Sequence, residues 1–290
     1  MPNGIFVGLT TLDLVYQVDN FPAPNTKIAA RGQDLFAGGP ATNASVTFQH
    51  LGGHATLVSP VGRHLFASAM TAEFARYGVT HLDLAPGFEG LPPIASITVN
   101  SAAERNIVST RAACIVVPPA VVDESLLAQA SIVLVDGHVM QACQAWAAAA
   151  HARGIPVVLD AGSWKAGLRE LLANVDTAIC SDDFHPAQCP SEDDVILFLK
   201  DCGVQRIAIT HGADPIRFVS VESGGSGETA GLIRVPQIQA VDTMGSGDIF
   251  HGAYCYYAAS GLSFQQSLHE AAAVAAKSCR FAGTRAWMNR

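Results

Sequence analysis

The sequence predicts an α/β fold in which helices cover both faces of a mostly parallel central sheet, with a small second β-sheet attached. Three observations predict it. Apolar, β-branched runs alternate with segments of helical spacing along most of the 290 residues, the mark of repeated βα units. One stretch breaks that rhythm: Ile94–Asn100 and Arg105–Thr110, joined by a turn at Ser101–Glu104, alternate like an antiparallel hairpin. No linker and no internal repeat divides the chain, so residues 1–290 are expected to form one large domain with an appendage.

Taken in order, Ile5–Leu9 is a buried strand, and Asp13 follows its end. Ligands of open α/β sheets bind beyond the carboxyl ends of strands, which makes Asp13 a candidate site residue; a solvated loop carboxylate is the alternative. The Gly8-x-x-x-x-Asp13 arrangement is not the dinucleotide fingerprint. Residues 27–36 are half polar, as strands with one wet face would be. Pro40 suits a first helical position, Ala44, Phe48 and Leu51 form an inward stripe, and Gly52 suits the stop. Gly38 and Gly39 thus precede a helix N-terminus with Asn43 one turn in, either a ligand cradle or an ordinary Gly-rich turn.

Strands are expected at 55–59, 132–136, 157–160, 177–180 and 206–210, with helices near 65–77, 140–152, 166–173 and 192–201. Ser223–Gly227 reads as a hairpin tip between runs at 216–222 and 230–235. Ser263 and Gln266 form a capping-box pattern that opens a last helix ending near Lys277.

The stretch from Val241 to Tyr254 carries the most chemistry. Ile249, Ala253 and Tyr257 recur every fourth position and Gly261 ends the pattern, so a helix begins at Gly247 or Asp248. Its first turn presents unpaired N–H groups and the positive end of the dipole, an environment suited to phosphate. Gly245 and Gly247 permit close approach of such a group. A carboxylate there, Asp248, either caps the helix or serves as a general base; residue chemistry alone leaves both open.

Composition removes several classes. Hydrophobic residues are 49% and charged residues 14%, too apolar for disorder, yet no apolar run reaches the ~18 residues of a membrane span. A formal charge of −8 without a dense basic tract argues against nucleic acid. The start lacks a basic leader, and the seven cysteines show no Cys-x-x-Cys spacing, so a cytoplasmic protein with reduced thiols is expected. Gly52-Gly53 between His50 and His54 argues against a helical metal pair.

Asp242-Thr-x-Gly-Ser-Gly-Asp248 closely resembles the C-terminal signature of the ribokinase-like, or PfkB, sugar kinases, whose usual form has Ala at the place of Ser246. Gly38-Gly39-x-x-x-Asn43, followed by an Ala-rich helix and Leu51-Gly52-Gly53, resembles their N-terminal signature, and the likeness extends over nearly the whole chain. The resemblance implies a ribokinase-like three-layer sandwich with a β lid from about 11–36 and 92–112. It implies ATP with Mg²⁺, and in many members K⁺, with Asp248 as base and Gly245, Ser246, Gly247 and the Asp248 amide as anion hole. It also implies sugar contacts from Asp13, Gly38, Gly39 and Asn43, and nucleotide contacts from Ser181, Thr210, Gly212 and Cys279. Asp242 with the Met244 carbonyl matches the monovalent-cation site.

One departure stands out: where the family usually has Asn-x-x-Glu, this chain reads Ser181-Asp182-Asp183-Phe184. Ketohexokinase-like members also have Ser first. Asp248-x-Phe250-His251-Gly252, Lys27 and the ending Cys279-x-x-x-Gly283-x-Arg285-Ala286 resemble the ketose-kinase branch that includes sulfofructose kinase. The expected substrate is therefore a ketose-like sugar, with Lys27 facing an anionic group on it or standing exposed without contact. Dimerisation through the lid is expected by analogy. Competing readings are a catalytically silent sugar or nucleotide sensor and a ribose or nucleoside kinase.

Overall fold

The computed structural model describes residues 1–110, 115, 117, 121–221 and 227–289. Its larger sheet has nine strands: β1 (Asn3–Val7), β4 (His54–Ser59), β5 (Thr80–Asp83), β8 (Ile132–Val135), β9 (Val157–Ala161), β10 (Thr177–Ser181), β11 (Arg206–His211), β12 (Asp214–Val221) and β13 (Glu228–Ile233). The order across the sheet is β13-β12-β11-β10-β9-β8-β1-β4-β5. Neighbours from β5 to β11 pair in parallel, and β12 and β13 close one edge as an antiparallel pair.

Strand side chains alternate between two cores, as a sheet buried on both faces requires. Ile5, Val133, Leu159 and Cys180 face the core around Trp146, beneath α4 (Met140–His151), α5 (Leu168–Leu172) and α6 (Glu192–Asp201). Phe6, Leu134, Val158 and Ile179 face the other core, formed with α1 (Pro40–His50), α2 (Ala67–Arg76), α7 (Ser246–Ala259) and α8 (Phe264–Ser278). A short α3 (Glu124–Leu127), capped by Asp123, enters β8. The result is the three-layer α/β sandwich expected.

The second sheet has the order β3-β2-β6-β7, from β2 (Thr11–Gln17), β3 (Gly32–Gly38), β6 (Ile94–Val99) and β7 (Arg105–Ser109). The hairpin of β6 and β7 is antiparallel as expected, but β2 and β6 run parallel, so the sheet is mixed. Two expectations need correction. Residues 27–31 are not strand, and Asp13 is not in a loop: β2 begins four residues after β1 ends and carries Asp13 inside the second sheet, buried opposite Phe36. Alternation along β2 turns Leu12 and Val15 into cores, which is what fixes its register. Residues 111–112 of the expected lid, Cys114 and positions 223–226 of the expected tip lie outside the described residues.

Pro40 is the first residue of α1, and Ser263 with Gln266 closes both bonds of a capping box at α8. α7 starts earlier than its spacing suggested, at Ser246, because Gly245 adopts φ +66° and turns the chain into the helix. Gly252 lets α7 lie against α1, since a Cβ there would strike the Ala44 carbonyl.

Candidate active site

Two helix N-termini, α1 and α7, meet beyond the carboxyl ends of β1, β8 and β9. At α1, Gly39 has φ +100° and leaves no room for a Cβ against the Leu9 carbonyl. A Cβ on Gly38 would occupy the place of the Asp13 carboxylate. Gly39 is therefore required by backbone approach and Gly38 by the Asp13 carboxylate packed against it. Asp136 braces the corner: it accepts the amides of Leu9 at 2.8 Å, His138 at 2.9 Å and Ala41 at 3.3 Å.

Asp248 is the third residue of α7 and partly buried. Its Oδ2 accepts a hydrogen bond from Asn43 Nδ2 at 2.7 Å, so its side chain bonds across to α1 instead of capping its own helix. Burial pushes Asp248 up to about 7; the carboxylates of Asp160 and Asp13 push the same way, and the Asn43 bond and His251 oppose them. Asp13 accepts from the Thr11 hydroxyl at 2.6 Å. Burial raises Asp13 to about 6 against that bond and the charge of Arg285.

The anion-hole candidates divide by space. A Cβ on Gly245 would stand 2.7 Å from Thr284 Cγ2, whereas one on Gly247 would meet nothing within 4 Å. Gly247 thus borders open volume, a cavity of about 340 Å³. Ser246, Gly247, Thr210, Gly212 and Cys279 line it, five of the residues expected around nucleotide and phosphate. Ile216, Val235, Ile238 and Ala272 give it apolar walls suited to a flat ring. Burial pushes the Cys279 thiol up, opposed by bonds involving Ser278 and Ser246.

Ser181 is not among the cavity-lining residues; it sits at the end of β10, where its hydroxyl bonds Asp182 and accepts the Asp183 amide, both at 3.2 Å. Phe184 is core, 1% exposed and edge-on to Trp164, so the fourth position of the usual Asn-x-x-Glu is filled by packing. Asp242 is buried and its two oxygens accept the amides of Met244 and Gly283, each at 2.8 Å. Lys27 is exposed in the segment between β2 and β3, with no hydrogen bond or ion pair among the described residues.

Several residues around the site had no explanation in sequence. Arg285, 4% exposed, donates to Asn43 Oδ1 and the Ala37 carbonyl at 2.8 Å each and pairs with Glu73 at 3.1 Å. Glu73 in turn accepts the Ala37 amide at 2.6 Å. Arg105, from β7, donates to the carbonyl and hydroxyl of Thr243 at 2.9 and 2.8 Å and lines the same cavity as Gly247. Asp160 and His251 lie beside Asp248. His251 and Arg285 stood in the sequence only as marks of a family branch, without a structural role, and Asp160 as an Asp at a strand end, too common to single out.

The pfkB family carbohydrate kinase model matches residues 1–289. Ribokinase of Haemophilus influenzae is 24% identical over 280 residues, covering 93% of this chain and 90% of that protein. A candidate ribokinase of Agrobacterium tumefaciens superposes with a TM-score of 0.85 at 21% identity, covering 100% of this chain and 99% of that one. Adenosine kinase of Sinorhizobium meliloti superposes with a TM-score of 0.79 at 20% identity, covering 98% and 95%. At these identities the structural likenesses establish the fold. No helix among the described residues is long and apolar enough to cross a membrane.

Proposed function

Since the chain belongs to the pfkB family of carbohydrate kinases, which transfer a phosphoryl group from ATP to a sugar or nucleoside, we propose that its acceptor is the primary hydroxyl of a ketose-like sugar. One observation carries the assignment of roles: a partly buried carboxyl, Asp248, held by Asn43 at the junction of two helix N-termini, between the cavity at Gly247 and the polar corner of Asp13. Asp248 takes the proton of the acceptor hydroxyl as its oxygen attacks the γ-phosphorus. The bond from that phosphorus to the ADP oxygen breaks, and the N–H groups at 245–248 face the charge of the transferring group.

Asp13, Gly38, Gly39 and Asn43 hold the sugar, and Thr210, Gly212, Cys279 and Arg105 border the nucleotide. Ser181 is the residue of the altered segment left to reach the phosphates. Mg²⁺ bound with ATP would supply neutralisation of phosphate charge; with Phe184 in the core, the chain's carboxylates nearest the usual position are Asp182 and Asp183. A K⁺ beside Asp242 and the Met244 carbonyl fits the donor chemistry, because each Asp242 oxygen uses one lone pair on an amide and keeps another. Lys27 in the lid segment is the cation available to an anionic substituent, and a lid-mediated homodimer is part of the same reading.

The test is ADP release with Mg-ATP and a panel of fructose, fructose phosphates, sulfofructose, ribose and nucleosides. The highest kcat/KM on a ketose supports the reading, and a strong preference for ribose or a nucleoside refutes the ketose clause. ATP binding without ADP release on any acceptor would identify a silent sensor. Lys27→Ala should lower kcat/KM only for charged acceptors; equal loss on fructose would show that the lysine supports the lid.

A further inference from the structure

Beside Asp248 stands a pair of buried side chains with no role so far. Asp160 stands two residues after Val158 on β9, on the same face, so its carboxylate points to the α7 side of the sheet, and the residue is only 7% exposed. Its Oδ2 is buried without a hydrogen bond, and His251 Nδ1 lies 3.4 Å from it. His251 lies one turn beyond Asp248 on α7. Its Nδ1 also reaches the Gly247 carbonyl at 2.7 Å, and its Nε2 reaches the Ile179 carbonyl of β10 at 3.2 Å. A buried carboxylate with an unsatisfied oxygen is costly to keep, so its place next to a second carboxyl calls for a function.

We propose that Asp160 and His251 are positioning residues for phosphoryl transfer: the pair fastens the first turn of α7 to the ends of β9 and β10 and so fixes Asp248 and the Gly247 amide toward the acceptor. His251 bonds the carbonyl of Gly247 itself, so the peptide plane on which the 247–248 geometry depends is tied to the sheet. Asp160 acts a second way, through charge. The groups facing Asp248 are Asn43 from α1 with Arg285 behind it, Asp13 from β2, Asp160 from β9 and His251 from its own helix. Of the charged groups that hold its proton on, Asp160 acts most strongly. The carboxylate is thereby a stronger base than an isolated buried aspartate beside an asparagine would be.

The inference rests on Asp248 as the base, and the test separates the two. Asp160→Asn keeps the shape and an acceptor toward His251 while removing the charge, and kcat and KM are measured from pH 5 to 9 together with ATP affinity by calorimetry. The acid limb of kcat/KM should move to lower pH by about one unit, plateau kcat should fall roughly 10-fold as the base weakens, and ATP affinity should hold. An acid limb that stays in place overturns the proposal. If Asp160→Asn does not fold, His251→Gln gives the opposite reading: His251 opposes the rise of Asp248, so its loss should move the limb to higher pH, and an unmoved limb again overturns the proposal. Wild-type turnover in Asp248→Asn would instead refute the base, whereas an inactive Asp248→Asn with an unmoved limb in Asp160→Asn would refute the positioning pair alone.

Discussion

Asn43 and Asp248, 205 residues apart in sequence, share a 2.7 Å hydrogen bond that joins the first turns of α1 and α7. The same amide group accepts from Arg285 at 2.8 Å through its oxygen, so Asn43 has a donor on one side and an acceptor on the other, which fixes its orientation. Asp248 is aligned by a chain that runs Glu73, Arg285, Asn43, Asp248. Every member is wholly or largely buried, so the chain is sensitive to the loss of any link.

Asp248→Asn is expected to lower kcat by roughly 10²–10⁴-fold while ATP still binds, because the proton acceptor is lost and the anion hole remains. Steady-state kinetics beside ATP titration checks this, and near-wild-type turnover would remove the assignment.

The raised carboxyls set the pH behaviour. With Asp248 at about 7 and Asp13 at about 6, kcat/KM should rise with pH up to a plateau above about 7 and fall more steeply below 6, where Asp13 also gains a proton. Stability runs the other way. A folded pKa above the unfolded value means the stabilising contribution is full below about 4 and is lost as pH rises through 6 to 7. Asp248→Asn should therefore melt higher than wild type at pH 8, with the difference shrinking toward pH 5; a variant that melts lower at pH 8 contradicts the cost assigned to the buried charge.

Two glycines should separate fold from chemistry. Gly39→Ala forces a side chain into φ +100° and against the Leu9 carbonyl, and should destabilise by roughly 1–3 kcal/mol. Gly247→Ala adds a methyl to open space in a helix, so the melting temperature should hold or rise while kcat drops at least about tenfold. Thermal melts with kinetics on both variants decide, and full activity in Gly247→Ala would show that no phosphoryl group passes there.

Arg285→Ala should destabilise by about 3–5 kcal/mol, since it strands Glu73 and leaves Asn43 Oδ1 and the Ala37 carbonyl without their donor. Arg285→Lys keeps the charge but cannot reproduce the three-way fork and should recover stability better than kcat. Denaturant midpoints compared with turnover test this; equal recovery of both would mean the arginine contributes only charge.

The α/β class, the parallel order of βα units, the hairpin of β6 and β7, the caps at Pro40 and Ser263, and the two glycine-rich helix starts were legible in sequence. Each is a local property of spacing, turn chemistry or side-chain size that survives without tertiary context. Asp13, Asn43 and Asp248 were legible as candidates because each stands near a glycine motif or a strand end. What each of them touches was not. The Asn43 to Asp248 bond, the reach of Arg285 across 242 residues to Asn43, and the meeting of Asp160 with His251 depend on how two helices cross over the ends of a sheet. The rise of Asp248 to about 7 was equally hidden, because desolvation and a neighbouring carboxylate exist only once the chain has closed around them. Even the placement of Asp13 was decided by packing: pattern alone put it past the end of a strand, and the register that buries Leu12 and Val15 put it inside the second sheet.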